Sequence, residues 1–338
     1  MKPYRIAVAG CGGMARKWVE YALECENAEI VALVDIRKEA ALGMAESFSL
    51  KSPAFTDVST AIKETGANLV FDITIPESHH RIAIESFAAG CDVFGEKPMA
   101  ASMGEALAMV KAAGDSGRMY AVMQNRRYNK MIRSFREIVQ SGAIGQPGFV
   151  CVDFFLGPHF GGFRDVMDSP YILDMAIHTF DQARFISNAD PVSVYCHEFN
   201  PIGSWYKGNA ASVCIFEMSN GVVLCLRASW CAEGKPTSWE GDWRITGSKG
   251  TAVWDGSNAP WYEVAVPSEE HKFMREVERI EPVMNWEGRE GHDGCLDEMF
   301  LAHAEGRKAE TDCTDNIKSM GMVFGALESA RKQQKIFL

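Results

Sequence analysis

The stretch up to residue 35 constrains this chain more than any other, because it sets a glycine-rich turn between a strand and a helix. An apolar run of strand length, Ile6–Ala9, leads directly into the turn GCGGMA at residues 10–15. A helix-like segment follows, and a second β-rich run, Ile30–Val34, ends on Asp35. Glycines also mark ordinary turns, but a strand before, a helix after and an acid at this distance form the order that a dinucleotide-binding βαβ unit requires.

The small residues of the turn each have a predicted role in binding such a cofactor. Gly10 lets the chain turn sharply off the strand, and Gly12 lets the backbone approach a pyrophosphate. The pyrophosphate would rest on the unpaired N–H groups and the positive dipole end of the helix that begins near Gly13. Ala15 is small enough for close helix–strand packing, and Asp35 is placed to hydrogen-bond an adenosine ribose.

The acid at the end of the second strand also bears on which dinucleotide binds. A carboxylate at Asp35 repels a 2′-phosphate, so the sequence favours NAD over NADP. Arg37 and Lys38 follow closely and soften that preference. NAD is therefore the predicted cofactor, with NADP left open.

The composition limits the class of protein. The chain has 338 residues, enough for two domains at about 100–200 residues each. With 34 basic and 45 acidic residues its net charge is −11, which disfavours nucleic-acid or anionic-membrane binding. No apolar run reaches the about 18–20 residues that span a bilayer, and the N-terminus shows no signal-peptide pattern. The ten cysteines are scattered without zinc-type spacing, which suits a reducing cytoplasm.

Helix-like and strand-like segments alternate up to about residue 124, which predicts a parallel sheet with helices on both faces. The predicted helices after the glycine-rich turn are Lys38–Ser47, Val58–Thr65, Glu77–Ala89 and Met103–Gly114. The predicted strands are Ile6–Ala9, Ile30–Val34, Ala54–Phe55, Asn68–Ile73, Asp92–Phe94 and Met119–Met123. We expect this alternation to form a dinucleotide-binding domain over residues 1–124.

Ligands of such a sheet sit at the carboxyl ends of its strands, so the residues that end each strand matter most. The fourth strand ends in TIPESHH (74–80), the fifth in GEKP (95–98) and the sixth in QNRRY (124–128). A charged Glu-Lys pair directly after an apolar strand is an unusual way to make a plain turn. A solvated loop is the alternative, but the position at the predicted cofactor edge favours a functional role for Lys97.

The character of the sequence changes after about Tyr128, where strand-like runs joined by tight turns begin to dominate. The predicted strands are Phe149–Phe155, Val192–His197, Ala211–Phe216, Val222–Ser229, Asp242–Ile245, Thr251–Trp254 and Glu263–Val266. The predicted helices are Lys130–Gln140, Tyr171–Ile186, Cys295–Glu305 and Asp315–Lys335. Hairpin-type turns favour a mainly antiparallel sheet, so we expect an α+β second domain over residues 125–338.

The chemistry is predicted on the helix Tyr171–Ile186, whose first half is apolar apart from a few polar side chains. Asp174 and His178 are four residues apart and share one helical face. A buried carboxylate needs a partner, and Asp174 would orient the imidazole of His178 and stabilise its protonated form, as a general base requires. A purely structural pair is one alternative, and a metal site with His159 as third ligand is another. A solvated face conflicts with the apolar neighbours, and no metal is predicted.

These motifs, taken in order, resemble the Gfo/Idh/MocA oxidoreductases, a family that includes glucose–fructose oxidoreductase, inositol dehydrogenases and many sugar dehydrogenases. The shared motifs are GCGGMA, TIPESHH, the EKP tripeptide, QNRRY, LDMAIHTFD with its D-x-x-x-H spacing, and the later GSKGT turn. The likeness runs across most of the chain. It implies an α/β protein with an N-terminal Rossmann domain and a C-terminal domain whose mainly antiparallel, open sheet often mediates dimers or tetramers.

Position and resemblance together indicate which residues act. The resemblance carries a Lys–Asp–His catalytic set onto Lys97, Asp174 and His178. The residues expected to bind the cofactor are Gly10, Gly12, Gly13, Met14, Asp35, Arg37, Thr74, Ile75, Pro76, His79, Glu96, Lys97, Gln124 and Asn125. The residues expected to contact substrate are Lys97, Arg127, His159, Arg164, Asp174 and His178. Many family members carry a Gly-rich stretch where this chain has DSPYIL (168–173), which leaves the loop shape and the substrate open.

The predicted reaction is the reversible oxidation of a secondary alcohol on a sugar, cyclitol or related polyol with NAD. His178 takes the hydroxyl proton, Asp174 orients it, and Lys97 hydrogen-bonds the same oxygen. A glycoside-cleaving enzyme that uses tightly bound NAD for transient oxidation would keep the same motifs. A non-catalytic NAD-sensing regulatory protein is the other alternative, although a sensor has no need of these three residues. We expect a cytoplasmic homodimer or homotetramer.

Overall fold

The computed structural model describes residues 4–270 and 272–338. The described chain forms two compact units, which are residues up to Asn125 with Gly291–Met320, and Arg126–Glu290 with Gly321–Leu338. The sequence predicted one boundary after residue 124, whereas in the structure the later segment Gly291–Met320 belongs to the first unit. The limits of the functional domains stay a prediction.

The first unit contains a six-stranded sheet in which all neighbouring strands are parallel. Its strands are β1 Tyr4–Ala9, β2 Ala28–Val34, β3 Ala54–Phe55, β4 Leu69–Asp72, β5 Asp92–Gly95 and β6 Tyr120–Val122. Their order across the sheet is β3-β2-β1-β4-β5-β6. The order therefore reverses between β1 and β4, and such a switch point is where open α/β sheets bind ligands.

Five helices alternate with these strands, and local signals set their ends. They are α1 Ala15–Glu24, α2 Lys38–Ser47, α3 Val58–Thr65, α4 Pro76–Ala88 and α5 Met103–Ser116. The side chain of Asp57 accepts a hydrogen bond from the N–H of Thr60 at 2.8 Å and begins α3, and Ser102 caps α5 in the same way. Gly66 ends α3 in the left-handed conformation that glycine adopts without strain. The predicted alternation of strands and helices is confirmed.

The second unit contains a nine-stranded sheet. Its strands are β7 Pro147–Phe155, β8 Pro191–Phe199, β9 Ala211–Met218, β10 Val223–Ser229, β11 Asp242–Gly247, β12 Gly250–Trp254, β13 Trp261–Ala265, β14 Val277–Ile280 and β15 Ile336–Phe337. Their order is β14-β13-β12-β11-β7-β10-β9-β8-β15, and only β7 and β10 pair in parallel among these described strands. The prediction of a mainly antiparallel sheet is confirmed.

One face of this sheet is buried and the other is open. Two helices pack on the buried face, α6 Lys130–Gln140 and α7 Ala176–Ser187. Phe180 of α7 meets Phe216 of the sheet at 4.9 Å between ring centres, and Phe135 of α6 meets Trp254 at 5.9 Å. On the open face the neighbouring residue Ile215 is 44% exposed. Buried and exposed side chains thus alternate along β9, as a strand with one covered face requires.

Two further helices, α8 Gly291–Glu305 and α9 Cys313–Lys332, lie between β14 and β15 in the chain. The ring of Phe300 in α8 packs between the strands of the first unit, 4.8 Å from Tyr4 and 5.3 Å from Phe94. The packing of this aromatic ring against side chains of the first sheet explains why α8 belongs to the first unit rather than to the domain that precedes it in sequence. In the second unit, Ser329 near the end of α9 accepts the N–H of Cys196 at 2.9 Å.

Several elements differ from the sequence-based prediction, among them one helix start, one helix end and one strand. The helix predicted over residues 171–186 begins as a π-helical turn, Tyr171–Met175, before α7. The last helix ends at Lys332 instead of Lys335, because Ile336–Phe337 pair with β8. Strand β14 was not predicted, since it is short and exposed. Among the described helices, none combines the length and the apolar character needed to cross a bilayer.

Candidate active site

The glycine-rich turn connects the end of β1 to the start of α1. Gly10 has a φ of +87°, and a side chain there would place its Cβ 2.4 Å from the carbonyl oxygen of Ile73. The N–H of Gly10 donates to the carbonyl oxygen of Val34 at 2.8 Å. At Gly12 and Gly13, by contrast, no described atom lies within 4 Å of where a Cβ would stand. The turn is thus closed toward the sheet and open at the beginning of a helix, where N–H groups suit a phosphate.

Asp35 follows β2, and two backbone donors hold its carboxylate in place. Oδ2 accepts the N–H of Cys11 at 2.9 Å, and Oδ1 accepts the N–H of Arg37 at 2.9 Å. Two carboxylate oxygens offer about four acceptor sites, so Asp35 keeps capacity for ribose hydroxyls. Burial and then the charge of Asp35 raise the pKa of the Cys11 thiol to about 12, so this thiol stays neutral at physiological pH.

A cavity of about 320 Å³ opens beside this turn within the first unit. Its walls include the predicted cofactor residues Gly10, Gly12, Asp35, Arg37, Thr74 and Ile75. They also include Arg81, which the sequence did not single out. A glycine turn without crowding, a fixed carboxylate and apolar neighbours fit the adenosine part of a dinucleotide.

One predicted cofactor residue, His79, is buried under this edge of the sheet, with 1% of its surface exposed. Its Nδ1 lies 2.9 Å from Oδ2 of Asp72 at the end of β4, and the hydroxyl of Thr74 donates to the other oxygen of Asp72 at 2.6 Å. Burial disfavours the charged imidazole, but the carboxylates of Asp72, Glu96 and Glu77 outweigh it and raise the pKa of His79. His79 supports the strand end, and its cofactor contact stays a prediction.

The Glu-Lys pair follows β5 as predicted, and Glu96 is buried among donors. Its Oε1 accepts the indole N–H of Trp18 at 2.9 Å, and its Oε2 accepts the N–H of Lys97 at 3.2 Å. His292 at the beginning of α8 lies 3.8 Å from Oε1 of Glu96. Burial lowers the pKa of His292, although the charge of Glu96 acts in the opposite direction. The sequence missed His292, because nothing local links a helix after the second sheet to the end of β5.

The remaining predicted cofactor residues occupy the ends of elements in the first unit. Met14 precedes α1, Pro76 begins α4, Gln124 is buried after β6, and Asn125 opens a short 3-10 turn, Asn125–Arg127. These positions are at the carboxyl edge of the sheet or next to it, where ligands of parallel sheets bind. Their contacts to a cofactor stay predictions.

In the second unit, Asp174 lies in the π-helical turn and His178 in the first turn of α7. The carboxylate of Asp174 accepts a hydrogen bond from Nε of Arg164 at 2.5 Å. The guanidinium of Arg164 also lies 4.9 Å and 4.7 Å from the ring centres of Phe160 and Phe163. His178 is buried. The structure thus adds an ion pair with Arg164 to Asp174, and the predicted partnership with His178 stays a prediction. Single-turn π-helices are frequent at functional sites.

Two other predicted substrate residues have partners of their own. His159 stacks on Trp205 at 3.8 Å between ring centres, and its Nε2 lies 2.8 Å from the carboxylate of Glu233. Arg127 is buried and holds the carboxylate of Asp181 with two hydrogen bonds of 2.6 Å. Removal of one member of such a buried pair costs about 3–5 kcal/mol. The structure therefore gives Arg127 a supporting role in the second unit, and its substrate contact stays a prediction.

Across the part of the chain that the structure describes, no group of three or more His, Cys, Asp or Glu side chains stands close enough to hold a metal ion. Lys97 belongs to the first unit, while Asp174 and His178 belong to the second. The convergence of the three on one substrate stays a prediction.

The fold and the glycine turn define a protein with a dinucleotide-binding Rossmann domain. Residues 4–124 match the model of an oxidoreductase family with an NAD-binding Rossmann fold, and residues 132–253 match the C-terminal domain model of the same family. Together these matches cover well over half of the chain. The protein belongs to the Gfo/Idh/MocA family, and the predicted fold class, enzyme class and NAD cofactor are confirmed at this level.

Several proteins are similar over nearly all of the chain. A protein of Sinorhizobium fredii named y4oX is 26% identical over 98% of this chain and 95% of its own length. The D-apiose dehydrogenase of Rhizobium rhizogenes is 24% identical over 96% and 94%. The 1,5-anhydro-D-fructose reductase of Ensifer adhaerens is 28% identical, but over 55% of this chain and 57% of its own length.

Solved structures show the same fold. An oxidoreductase from Agrobacterium radiobacter, in complex with NAD+, L-tartaric acid and magnesium, superposes with a TM-score of 0.83 at 22% identity and covers 99% of this chain and 98% of its own. The WlbA dehydrogenase from Bordetella pertussis, in complex with NADH and UDP-GlcNAcA, gives a TM-score of 0.80 at 21% identity over 99% of both chains. At these identities the likeness establishes the architecture.

Proposed function

We propose that this protein is an NAD-dependent dehydrogenase that oxidises a secondary hydroxyl of a sugar, cyclitol or related polyol. The NAD-binding domain and relatives named as sugar and inositol dehydrogenases or reductases support this class of reaction. The observation that carries the proposal is the pair Asp174 and His178, which stand on a mostly buried helical segment with Asp174 held by Arg164. A half-buried carboxylate and a buried imidazole one turn apart suit proton abstraction from an alcohol.

In the proposed reaction His178 accepts the proton of the substrate hydroxyl. Asp174 stabilises the imidazolium that forms, and the ion pair with Arg164 holds this carboxylate in one orientation. The O–H bond of the substrate therefore meets a base whose orientation is set before the substrate binds. This preorganisation lowers the activation free energy of the reaction.

Lys97 is proposed to donate a hydrogen bond to the same substrate oxygen as charge develops on it. Lys97 stands two residues after Gly95, the last residue of β5, so the lysine is carried by the edge of the sheet. A bound nicotinamide would supply the acceptor for the hydrogen and the electron pair that leave the carbinol carbon. Arg127, His159 and Arg164 are proposed to contact substrate from the second unit.

The open face of the nine-stranded sheet is proposed to join copies of the chain into a dimer or tetramer. It carries exposed apolar side chains on β7, β8 and β9, among them Phe149, Tyr195, Phe199 and Ile215. Contiguous apolar patches on a protein surface mark interaction sites. A cytoplasmic location is also proposed, supported by ten cysteines that are all free thiols.

The first test mixes purified protein with NAD or NADP and a panel of sugars, inositols and sugar acids, and follows reduced-nicotinamide absorbance. We expect a steady rise with one substrate class and with NAD preferred. No rise, together with NAD released on denaturation and cleavage of a glycoside, would instead establish transient internal oxidation. No turnover of either kind would leave the regulatory alternative.

Variants at the proposed site then test the roles. Lys97→Met and His178→Ala should each lower kcat by about 10²–10⁴-fold. This is the usual contribution of a positioned general base or of a hydrogen-bond donor to the developing charge. NAD affinity should stay within about threefold of the wild type in His178→Ala, because this residue serves the substrate. Lys63→Met removes an exposed lysine of α3 in the same unit as Lys97 and should leave kcat unchanged. Full activity in His178→Ala would refute the mechanism.

A further inference from the structure

The cavity beside the glycine turn has an unusual balance of charge. Among its wall residues are one carboxylate, Asp35, and two guanidinium groups, Arg37 and Arg81. These wall charges sum to a net positive value, although the chain as a whole carries −11. Local positive charge on an acidic protein suits an anionic group of the ligand.

The carboxylate of Asp35 is held in place and cannot turn away from the negative charge of a 2′-phosphate. Each of its carboxylate oxygens accepts a backbone N–H, one from Cys11 and one from Arg37. Rotation of the side chain would break both hydrogen bonds. A phosphate on the neighbouring ribose hydroxyl would therefore face a fixed negative charge, and this alone would exclude NADP.

The two arginines approach the cavity from different elements. Arg37 follows β2 beside Asp35, with Nε 3.8 Å from Oδ1 and 75% of its side chain exposed. Arg81 lies on α4, the helix that follows β4. In the sheet, β1 separates β4 from β2, the strand that precedes Asp35 and Arg37. The cavity therefore has one arginine next to the acid and a second one that comes from a separate element.

The present partners of Arg81 hold it weakly. Nη1 lies 3.3 Å from Glu85 one helical turn away and 4.0 Å from Asp57, and 47% of the Arg81 side chain is exposed. Exposed ion pairs of this kind contribute little and exchange readily. The planar guanidinium forms two parallel hydrogen bonds to a phosphate, which is stronger than a surface pair with a carboxylate.

We propose that Arg81 is a second determinant of cofactor choice, which with Arg37 preserves affinity for the 2′-phosphate that Asp35 opposes. The protein would then prefer NAD through Asp35 and still accept NADP through the arginine of α4. This inference concerns the cofactor alone and does not depend on which alcohol is oxidised.

The test compares NADH with NADPH, which differ only in the 2′-phosphate. Each nucleotide is titrated into purified protein, and its fluorescence gives the dissociation constant. Arg81→Ala should weaken NADPH binding by about tenfold and NADH binding by less than about threefold, since a charge-assisted hydrogen bond is lost only for NADPH. Glu85→Gln, which removes a competing carboxylate, should strengthen NADPH binding.

Two controls make the result specific. Lys63→Ala removes one positive charge from α3 outside the cavity and should leave the NADPH-to-NADH ratio unchanged. Retained NADH affinity in Arg81→Ala serves as the check that the variant is folded. Equal losses for both nucleotides would overturn the proposal, because Arg81 would then bind a part common to both. An unchanged ratio would overturn it too. If the wild type bound neither nucleotide, the proposed cofactor site would itself be refuted. That outcome is independent of which sugar or polyol the protein oxidises.

Discussion

Gly10 shows at the scale of one residue how the backbone makes room for a dinucleotide. Its φ of +87° lies in the region that favours glycine, and the carbonyl oxygen of Ile73 occupies the place of a Cβ. The contact is with backbone atoms directly after β4, so no side-chain rotation relieves it. Gly12, two residues on, has open surroundings. Gly10 is therefore required for the fold, whereas Gly12 leaves space for the ligand.

Substitution separates these roles. Gly10→Ala should lower the free energy of unfolding by about 1–3 kcal/mol, because the new Cβ meets backbone and the φ is strained. Gly12→Ala should leave thermal stability nearly unchanged but weaken NADH binding by at least about tenfold, since its methyl group would stand where the pyrophosphate approaches. Thermal unfolding and nucleotide titration measure the two effects. Equal stability of Gly10→Ala and the wild type would contradict the first expectation.

At the scale of secondary-structure elements, the end of β8 is coupled to the chain that leads into the π-helical turn. Glu198 on β8 accepts the hydroxyl of Ser169 at 2.9 Å, two residues before Tyr171. Burial raises the pKa of Glu198 to about 7, and the hydrogen bond from Ser169 opposes this only in part. The carboxyl group of Glu198, which is hydrogen-bonded to the chain just before the π-helical turn, thus changes its charge near neutral pH.

This shift predicts a dependence of stability on pH. Between the ordinary pKa of a glutamate and about 7, folded Glu198 keeps a proton that the unfolded chain has released, so the free energy of unfolding falls as the pH rises through that window. Glu198→Gln should remove this loss and stabilise the protein at pH 8 by about 1–3 kcal/mol, with a smaller gain at pH 5. Thermal unfolding at both values tests it, with the exposed Glu278→Gln as control. An equal effect at pH 5 and pH 8 would exclude titration of Glu198 as the cause.

At the scale of the whole molecule, the two sheets differ in how they are covered. The parallel sheet of the first unit is buried by helices, whereas the nine-stranded sheet leaves one face with exposed apolar side chains. Ile215 lies on β9, a strand inside this sheet rather than at its edge. An apolar position inside such a face is a natural contact for a second copy of the chain.

A charge at this position should therefore break the proposed oligomer. Ile215→Glu should shift the mass measured by light scattering after gel filtration from a dimer or tetramer to a monomer, because the carboxylate would be buried without a partner. Leu107→Glu introduces the same charge at an exposed leucine of α5 and should leave the mass unchanged. A monomeric wild type would refute the proposed interface.

The sequence predicted the elements of the first unit closely because their signals are local. Helices α2 and α3 begin and end at the predicted residues, Lys38–Ser47 and Val58–Thr65. Asp57 and Gly66 mark the ends of α3 within the sequence itself. The exposed strand β14 and the π-helical turn were missed, since neither has a distinct periodicity.

The sequence by itself determined the order of strand, glycine turn, helix and acid that makes an NAD-binding domain, and the spacing of Asp174 and His178. Glycine conformation and hydrophobic period act within a few residues, so a linear reading detects them. Only the tertiary structure decided that Arg164 pairs with Asp174, that His292 stands beside Glu96, and that Arg81 faces the same cavity as Asp35. Such partners are set by packing between different elements, and neither segment alone determines the energy of that packing.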